Sequence, residues 1–196
     1  MSKHILIIDG HPDAKADHYV HALSTAYREG ARLEGHQVRG INVSELWFPL
    51  LRTGEDFKAG TPTESIRKAQ EWLRWADHVV IVFPLWLGSM PALLKAFFEQ
   101  LLRPGFAFAT ERRRLFPFKR LLAGKSARVI VTMGMPGWVY RWYFRAHSLK
   151  SLKRNILASC GLKPVRACVV GAVETMSQHD RSTWLSKVQR LGALAR

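Results

Sequence analysis

The chain has 196 residues, 47% of them hydrophobic and 23% charged, with a formal net charge of +15 at neutral pH. That length and composition predict a single domain over residues 1–196 with one substantial core, and no apolar run is long enough to cross a bilayer. The charge would suit nucleic acid, anionic lipid or a phosphate-bearing ligand, but the densest basic patches, Arg112-Arg113-Arg114 and Arg141 to Arg154, lack the aromatic interleaving or zinc spacing of a dedicated nucleic-acid reader.

The N-terminus leads at once into Ile5-Leu6-Ile7-Ile8, an apolar stretch broken by Asp9 and too short for a signal peptide, so a cytoplasmic location is expected. His4 to Asp9 reads as the first strand, and Gly10-His11-Pro12-Asp13 breaks it sharply. A helix follows, with Val20, Leu23, Tyr27 and Ala31 at helical spacing, Asp17 as its N-cap and Gly30 or Gly35 near its end. A strand, a tight loop and a helix start in that order can hold an anion on backbone amides and the helix dipole. The loop has neither the Walker pattern nor GxGxxG, and His11 either bonds a ligand phosphate or caps the strand end.

Gln37 to Val43 reads as the second strand, and Ser44 to Gly60 as an irregular connection long enough to be functional. Thr61-Pro62-Thr63-Glu64 opens a helix whose apolar face is Ile66, Ala69, Trp72, Leu73 and Ala76. His78 to Phe83 has no polar gap, the pattern of a strand buried on both faces of a parallel sheet. The connection after it, Pro84-Leu85-Trp86-Leu87-Gly88-Ser89-Met90, is too apolar for an ordinary surface loop. Leu85, Trp86 and Leu87 either fold back onto the core or face a flat conjugated ligand at the carboxyl end of the sheet. Ser89 suits an N-cap and Pro91 a first helical turn. Leu93, Leu94, Phe97, Phe98, Leu101 and Leu102 then form two adjoining stripes, a width that calls for a second packing partner, before Arg103-Pro104-Gly105 ends the helix.

After Phe108 the chain is basic and irregular through Leu122, and Ala127 to Thr132 is the fourth strand. Met133 to Trp138 leaves its carboxyl end, and the aromatics Tyr140, Trp142, Tyr143 and Phe144 beyond are either a lid over a planar ligand or packing. Ser148 to Ser159 reads as a helix stopped at Gly161, Val165 to Val170 as the fifth strand, and Asp180 as the cap of a last helix with Trp184, Val188 and Leu191 inward. Cys160 and Cys168 read as buried thiols. Five strands, each followed by a helix, predict an α/β fold with helices on both faces of a parallel sheet and the flavodoxin-like order 2-1-3-4-5.

Phe83 to Phe108, FPLWLGSMPALLKAFFEQLLRPGFAF, together with His11-Pro12 after the first strand and Thr132-Met133-Gly134 with Tyr140 further on, resembles the NAD(P)H:quinone oxidoreductases of the flavodoxin-like fold over nearly the whole chain. That family takes in the mammalian quinone reductases and the ancillary flavoproteins of bacterial potassium efflux systems. The resemblance implies a non-covalent flavin, FAD with FMN as the alternative, its phosphates near His11, Asp17, His18 and Tyr19. Its ring would lie against Pro84, Leu85, Trp86 and Leu87 on one loop and Thr132, Met133 and Gly134 on another, with Tyr140 at the reactive edge. Tyr140 is the implied catalytic residue, with His147, one position past the family's histidine, as the second candidate; NAD(P)H is the implied co-substrate and a quinone the acceptor, in a ping-pong exchange. This sequence departs from the family at Ala16 and His18, where serine and asparagine are usual, in the Trp86-Leu87-Gly88 tip, and at Ala146, where a catalytic histidine falls one residue before His147. A homodimer is implied as well. The alternatives are a regulatory flavoprotein on a potassium efflux transporter, with peripheral membrane contact, and an electron carrier like flavodoxin.

Overall fold

Five apolar runs line up as the parallel strands β1 (His4–Asp9), β2 (Gln37–Asn42), β3 (His78–Pro84), β6 (Ser126–Thr132) and β7 (Val165–Val170), in the order β2-β1-β3-β6-β7. The computed structural model describes residues 1–15, 17–110 and 118–196, without the side chains of Thr110 and Phe118; Ala16 and the Arg112-Arg113-Arg114 patch fall outside that set. Between β3 and β6 lies an antiparallel pair, β4 (Phe108–Thr110) and β5 (Phe118–Arg120), in the stretch read above as irregular. Strands of three residues are too short to display an alternation. Leaving that pair aside, the sheet has the expected order.

Alternate residues of each strand enter separate cores. Leu6, Ile8, Ile81, Phe83, Val129 and Val131 pack under α3 (Glu64–Trp75), α4 (Ala92–Leu101) and the helical run from α6 (His147–Ser151) through a π-wound Leu152–Leu157 to α7 (Ala158–Cys160). Ile5, Ile7, Val80, Val82, Ile130 and Val170 pack under α1 (Tyr19–Leu33) and α8 (Gln178–Ala193). Both cysteines are free and buried. Leu94, Phe97, Phe98, Leu101 and Leu102 of and just after α4 are all buried in this subunit's own core, so the wide apolar face needs no second subunit to cover it.

Local chemistry corrects several expected boundaries. α2 (Gly54–Ala59) lies inside the connection read as irregular, because a reciprocal cap between Thr53 and Asp56 starts it without any apolar stripe. Asp17 is no N-cap, since α1 starts from His18 with no side-chain cap. Ser89 does not cap α4 either; it pairs with Trp86 across a turn, and Pro91 precedes the helix. Ser177 rather than Asp180 caps α8, its Oγ accepting the Asp180 N–H at 3.1 Å. Gly30 ends nothing: it lies within α1, where an added Cβ would sit 1.9 Å from the Gln189 carbonyl oxygen of α8, while Gly35 at φ +74° follows the helix. Gly30→Ala should therefore push α1 and α8 apart and cost about 1–3 kcal/mol, seen as a lower urea midpoint at unchanged slope.

Candidate functional site

The carboxyl ends of β1, β3 and β6 are adjacent, and backbone bonds carry their alignment past the strands. The Gly10 N–H donates to Val82 O at 2.7 Å and the Leu85 N–H to Thr132 O at 2.7 Å. Glycine leaves room at this approach, for a Cβ on residue 10 would lie 2.5 Å from a methyl of the buried Leu94 and force that side chain to shift. The Met133 N–H donates to Val170 O, and Val173 and Ala172 donate to the carbonyls of Met133 and Met135, so the β6 loop is fixed from the β7 side.

The loop after β3 is a tight turn in which Trp86 and Ser89 exchange backbone hydrogen bonds at 2.8 and 2.9 Å. Leu87 and Gly88 at its tip have φ of 46° and 77°, the left-handed pair that a two-residue hairpin requires. Leu85 packs against the core, but Trp86 is half exposed and Leu87 fully so. Trp86 sets its ring edge-on to His11, centroids 5.9 Å apart, joining this loop to the first.

The β1–α1 loop gathers three imidazoles and two carboxylates. The His11 N–H donates to Asp9 Oδ1 at 3.1 Å, and its Nδ1 lies 3.1 Å from both the N–H and the carbonyl oxygen of Asp13, accepting from the one or donating to the other according to its tautomer. Burial holds the His11 pKa below its ordinary value, keeping that ring neutral. His18 stacks on His11 at 3.9 Å and donates through Nε2 to Asp13 Oδ2 at 3.0 Å, and that bond lowers the Asp13 pKa. His21, on the first turn of α1, spans Asp9 Oδ2 at 2.8 Å and Asp13 O at 3.0 Å. Burial opposes charge on His21, but the hydrogen bond and charge of Asp9 and the Asp13 carbonyl outweigh it, and its pKa is raised. Among the described residues no group of histidine, cysteine, aspartate or glutamate side chains is arranged to hold a metal ion.

Helix starts divide by position. Thr63 and Ser177 cap α3 and α8, which follow the outer strands β2 and β7. α1, α4 and α5 (Gly137–Trp142), which follow the inner strands β1, β3 and β6, have no side-chain cap. Uncapped first-turn N–H groups are ready to meet an anion or an electron-rich ring edge. With the His11 ring beside α1 and Trp86 next to it, these donors fit the phosphate and ring of a flavin.

The predicted site residues do not all converge. His11, His18 and Trp86 come together, and Pro84 and Leu85 pair with Thr132 at the adjacent strand ends, with the Met133 side chain buried in the core. Asp17 is exposed, its carboxylate 3.9 Å from His18 Nε2. Tyr19 turns away and donates its hydroxyl to Arg181 O at 2.8 Å under the Arg181 guanidinium. Tyr140 is 2% exposed, its hydroxyl 2.8 Å from Ser148 Oγ and accepting the Leu149 N–H at 3.2 Å, whereas His147 is exposed at the start of α6. Asp9 and His21 are the site residues not anticipated; the His18 and His21 pair, three apart on a helical first turn, was the available signal.

A carboxyl-edge crevice between β1 and β3, where strand order reverses, is the ligand position of open α/β sheets, and with this order it defines a protein of the flavodoxin-like class. Residues 3–191 match the flavodoxin-like fold family, and the chain belongs to it. It is 24% identical over 184 residues to an uncharacterized NAD(P)H oxidoreductase of Haemophilus influenzae, covering 92% of this chain and 89% of that protein. It is 30% identical over 153 residues to the human ribosyldihydronicotinamide dehydrogenase [quinone], covering 72% of this chain but 63% of that longer protein. Likeness to the potassium-efflux ancillary protein KefG of Cronobacter sakazakii, 38% over 91 residues, covers 45% of this chain and 46% of that one. Among solved structures, one from Streptococcus mutans superposes with a TM-score of 0.82 at 25% identity over 97% of this chain and 98% of that one. The NAD(P)H:quinone oxidoreductase of Methanothermobacter marburgensis superposes at 0.81 and 23% identity over 98% and 96% of the two chains, which bears on the fold.

An exposed leucine with left-handed backbone loses conformational energy without gaining burial. Leu87→Asn should raise the stability of the flavin-free protein by about 1 kcal/mol, measured by urea unfolding.

Proposed function

We propose that this protein is a flavin-dependent NAD(P)H oxidoreductase that reduces quinones or similar acceptors by two electrons, and that its flavin is FMN. The observation that carries the reading is that the three helices following the adjacent inner strands start without side-chain caps, at the sheet edge that also carries the Trp86 and Thr132 to Gly134 loops. The family and the oxidoreductase names of its relatives support it. FMN is preferred over FAD because an FMN-dependent NADH-azoreductase of Bacillus anthracis in complex with FMN shares the fold over the full length of both chains, with a TM-score of 0.76 at 19% identity.

Bound FMN would supply two-electron transfer between NAD(P)H and the acceptor. The chain's own residues then have distinct tasks. The His11 ring and the first-turn amides of α1 would hold the phosphate. The backbone of Leu85, Trp86, Met133 and Gly134 would lie along the ring; the Leu85, Trp86 and Met133 N–H groups are already bonded to the Thr132, Ser89 and Val170 carbonyls, so these residues would supply a fixed wall rather than donors. Arg141 and Arg145, exposed near α5, suit the 2′-phosphate of NADPH. His147 is the exposed proton donor of the pair, and Tyr140 fixes the turn into α6 through Ser148 and Leu149. The exposed Trp138, Trp142, Tyr143 and Phe144 form an apolar surface that a second copy would cover in a homodimer. Among the described residues no helix is long and apolar enough to cross a membrane. The KefG likeness favours a second reading, a regulatory flavoprotein seated on a transporter, for which retention by a membrane fraction is the test.

Protein reconstituted with FMN should show flavin absorption bands that bleach on anaerobic addition of NADPH and return with a quinone. Failure to retain a chromophore, or bands that NADPH leaves unchanged, would remove the reading. Tyr140→Phe should cost about 1 kcal/mol of stability through the lost Leu149 and Ser148 bonds. The same variant should reoxidise with quinone at an unchanged rate, and a hundredfold slower reoxidation would instead make Tyr140 the proton donor.

A further inference from the structure

The bonding of His21 runs in one direction only. Its two ring nitrogens face a carboxylate oxygen of Asp9 at 2.8 Å and the Asp13 carbonyl oxygen at 3.0 Å, and neither of those can donate. The arrangement is complete only when both nitrogens carry hydrogen, as in imidazolium. Asp13 in turn supplies the N–H held by His11 and the carboxylate held by His18, so the whole phosphate loop hangs from His21 and Asp9.

Resting on the flavin reading above, we propose that imidazolium His21 is the clasp of the flavin phosphate site, a positioning residue that grips the loop and supplies its positive charge, so that phosphate binding is lost when His21 deprotonates. The charged groups around it are Asp9 from β1, His11, Asp13, Lys15 and Asp17 from the loop, and His18, Arg28 and Glu29 from α1. Glu45 after β2 shares a cleft of about 650 Å³ with His21, Arg181 of α8 lies over Tyr19, and Trp86 of the β3 loop meets the neighbouring His11. Neutral His21 must leave Asp9 or Asp13 without a donor. It also takes one positive charge from a loop carrying Asp9, Asp13 and Asp17, which then repels a phosphate dianion. Because His21 is protonated more readily than an ordinary histidine, the clasp is closed below the usual histidine range and opens as pH rises beyond it.

FMN and riboflavin, which differ only by the phosphate, are titrated into the flavin-free protein by flavin fluorescence between roughly pH 7 and 9, above the phosphate's own titration. The expected result is an FMN Kd that rises about tenfold across this range while that of riboflavin stays level. His21→Gln should bind FMN about tenfold more weakly at the lower pH, show no slope, and keep its riboflavin affinity, which also certifies its fold. Asp9→Asn should move the FMN midpoint to lower pH. FMN binding without a pH slope, an equal slope for riboflavin, or a slope that survives in His21→Gln would overturn the clasp and leave the flavin reading intact. Binding of neither flavin would overturn the flavin reading and the clasp with it.

Discussion

The site rests on two backbone hydrogen bonds, Gly10 N–H to Val82 O and Leu85 N–H to Thr132 O, each 2.7 Å long. They prolong the β1–β3 and β3–β6 pairing beyond the strands, so three loops leave one edge of the sheet side by side rather than splaying. Each bond needs a local concession. Gly10 gives up a side chain so that Leu94 can close over it, and the β3 loop accepts a left-handed leucine to double back within four residues. Backbone fixed this way presents N–H groups at set positions at no entropy cost when a ligand arrives.

Electrostatics then sorts the inner loops from the outer ones. Helices after β2 and β7 satisfy their own first-turn amides with Thr63 and Ser177, while those after β1, β3 and β6 leave theirs open. An exposed cap is worth about 1 kcal/mol, so omitting it at three helices on one crevice is a stability sacrifice where an anionic, planar ligand could repay it. The imidazole cluster divides in the same way, with burial lowering the His11 pKa and the Asp9 carboxylate raising that of His21 against its burial.

The five parallel strands were legible because fully buried strands need unbroken runs such as Val79 to Phe83, and the loops after them because strand order alone assigns ligands to that edge. What escaped was held by bonds rather than by periodicity. α2 depends on the Thr53 and Asp56 cap, the β4–β5 pair is too short to alternate, and Ser89 looks like a cap until its backbone pairs with Trp86. At the site, the rings of His11, His18 and Trp86 meet, whereas Tyr19 and Tyr140 spend their hydroxyls on Arg181 and on Ser148 with Leu149. Hydroxyl direction depends on the tertiary neighbour and leaves no trace in spacing. Asp9 and His21 went unseen for the same reason, since a strand-end aspartate and a helical histidine become partners only once the loop folds back.

Hydrogen–deuterium exchange with and without FMN tests the convergence of the three loops most directly. Slowed exchange in residues 10–22, 84–92 and 132–140 together, with the β2 and β7 loops unchanged, is the predicted result. Protection confined to one of these segments, or appearing at residues 43–60 or 171–177 instead, would contradict a single crevice built from the inner strands.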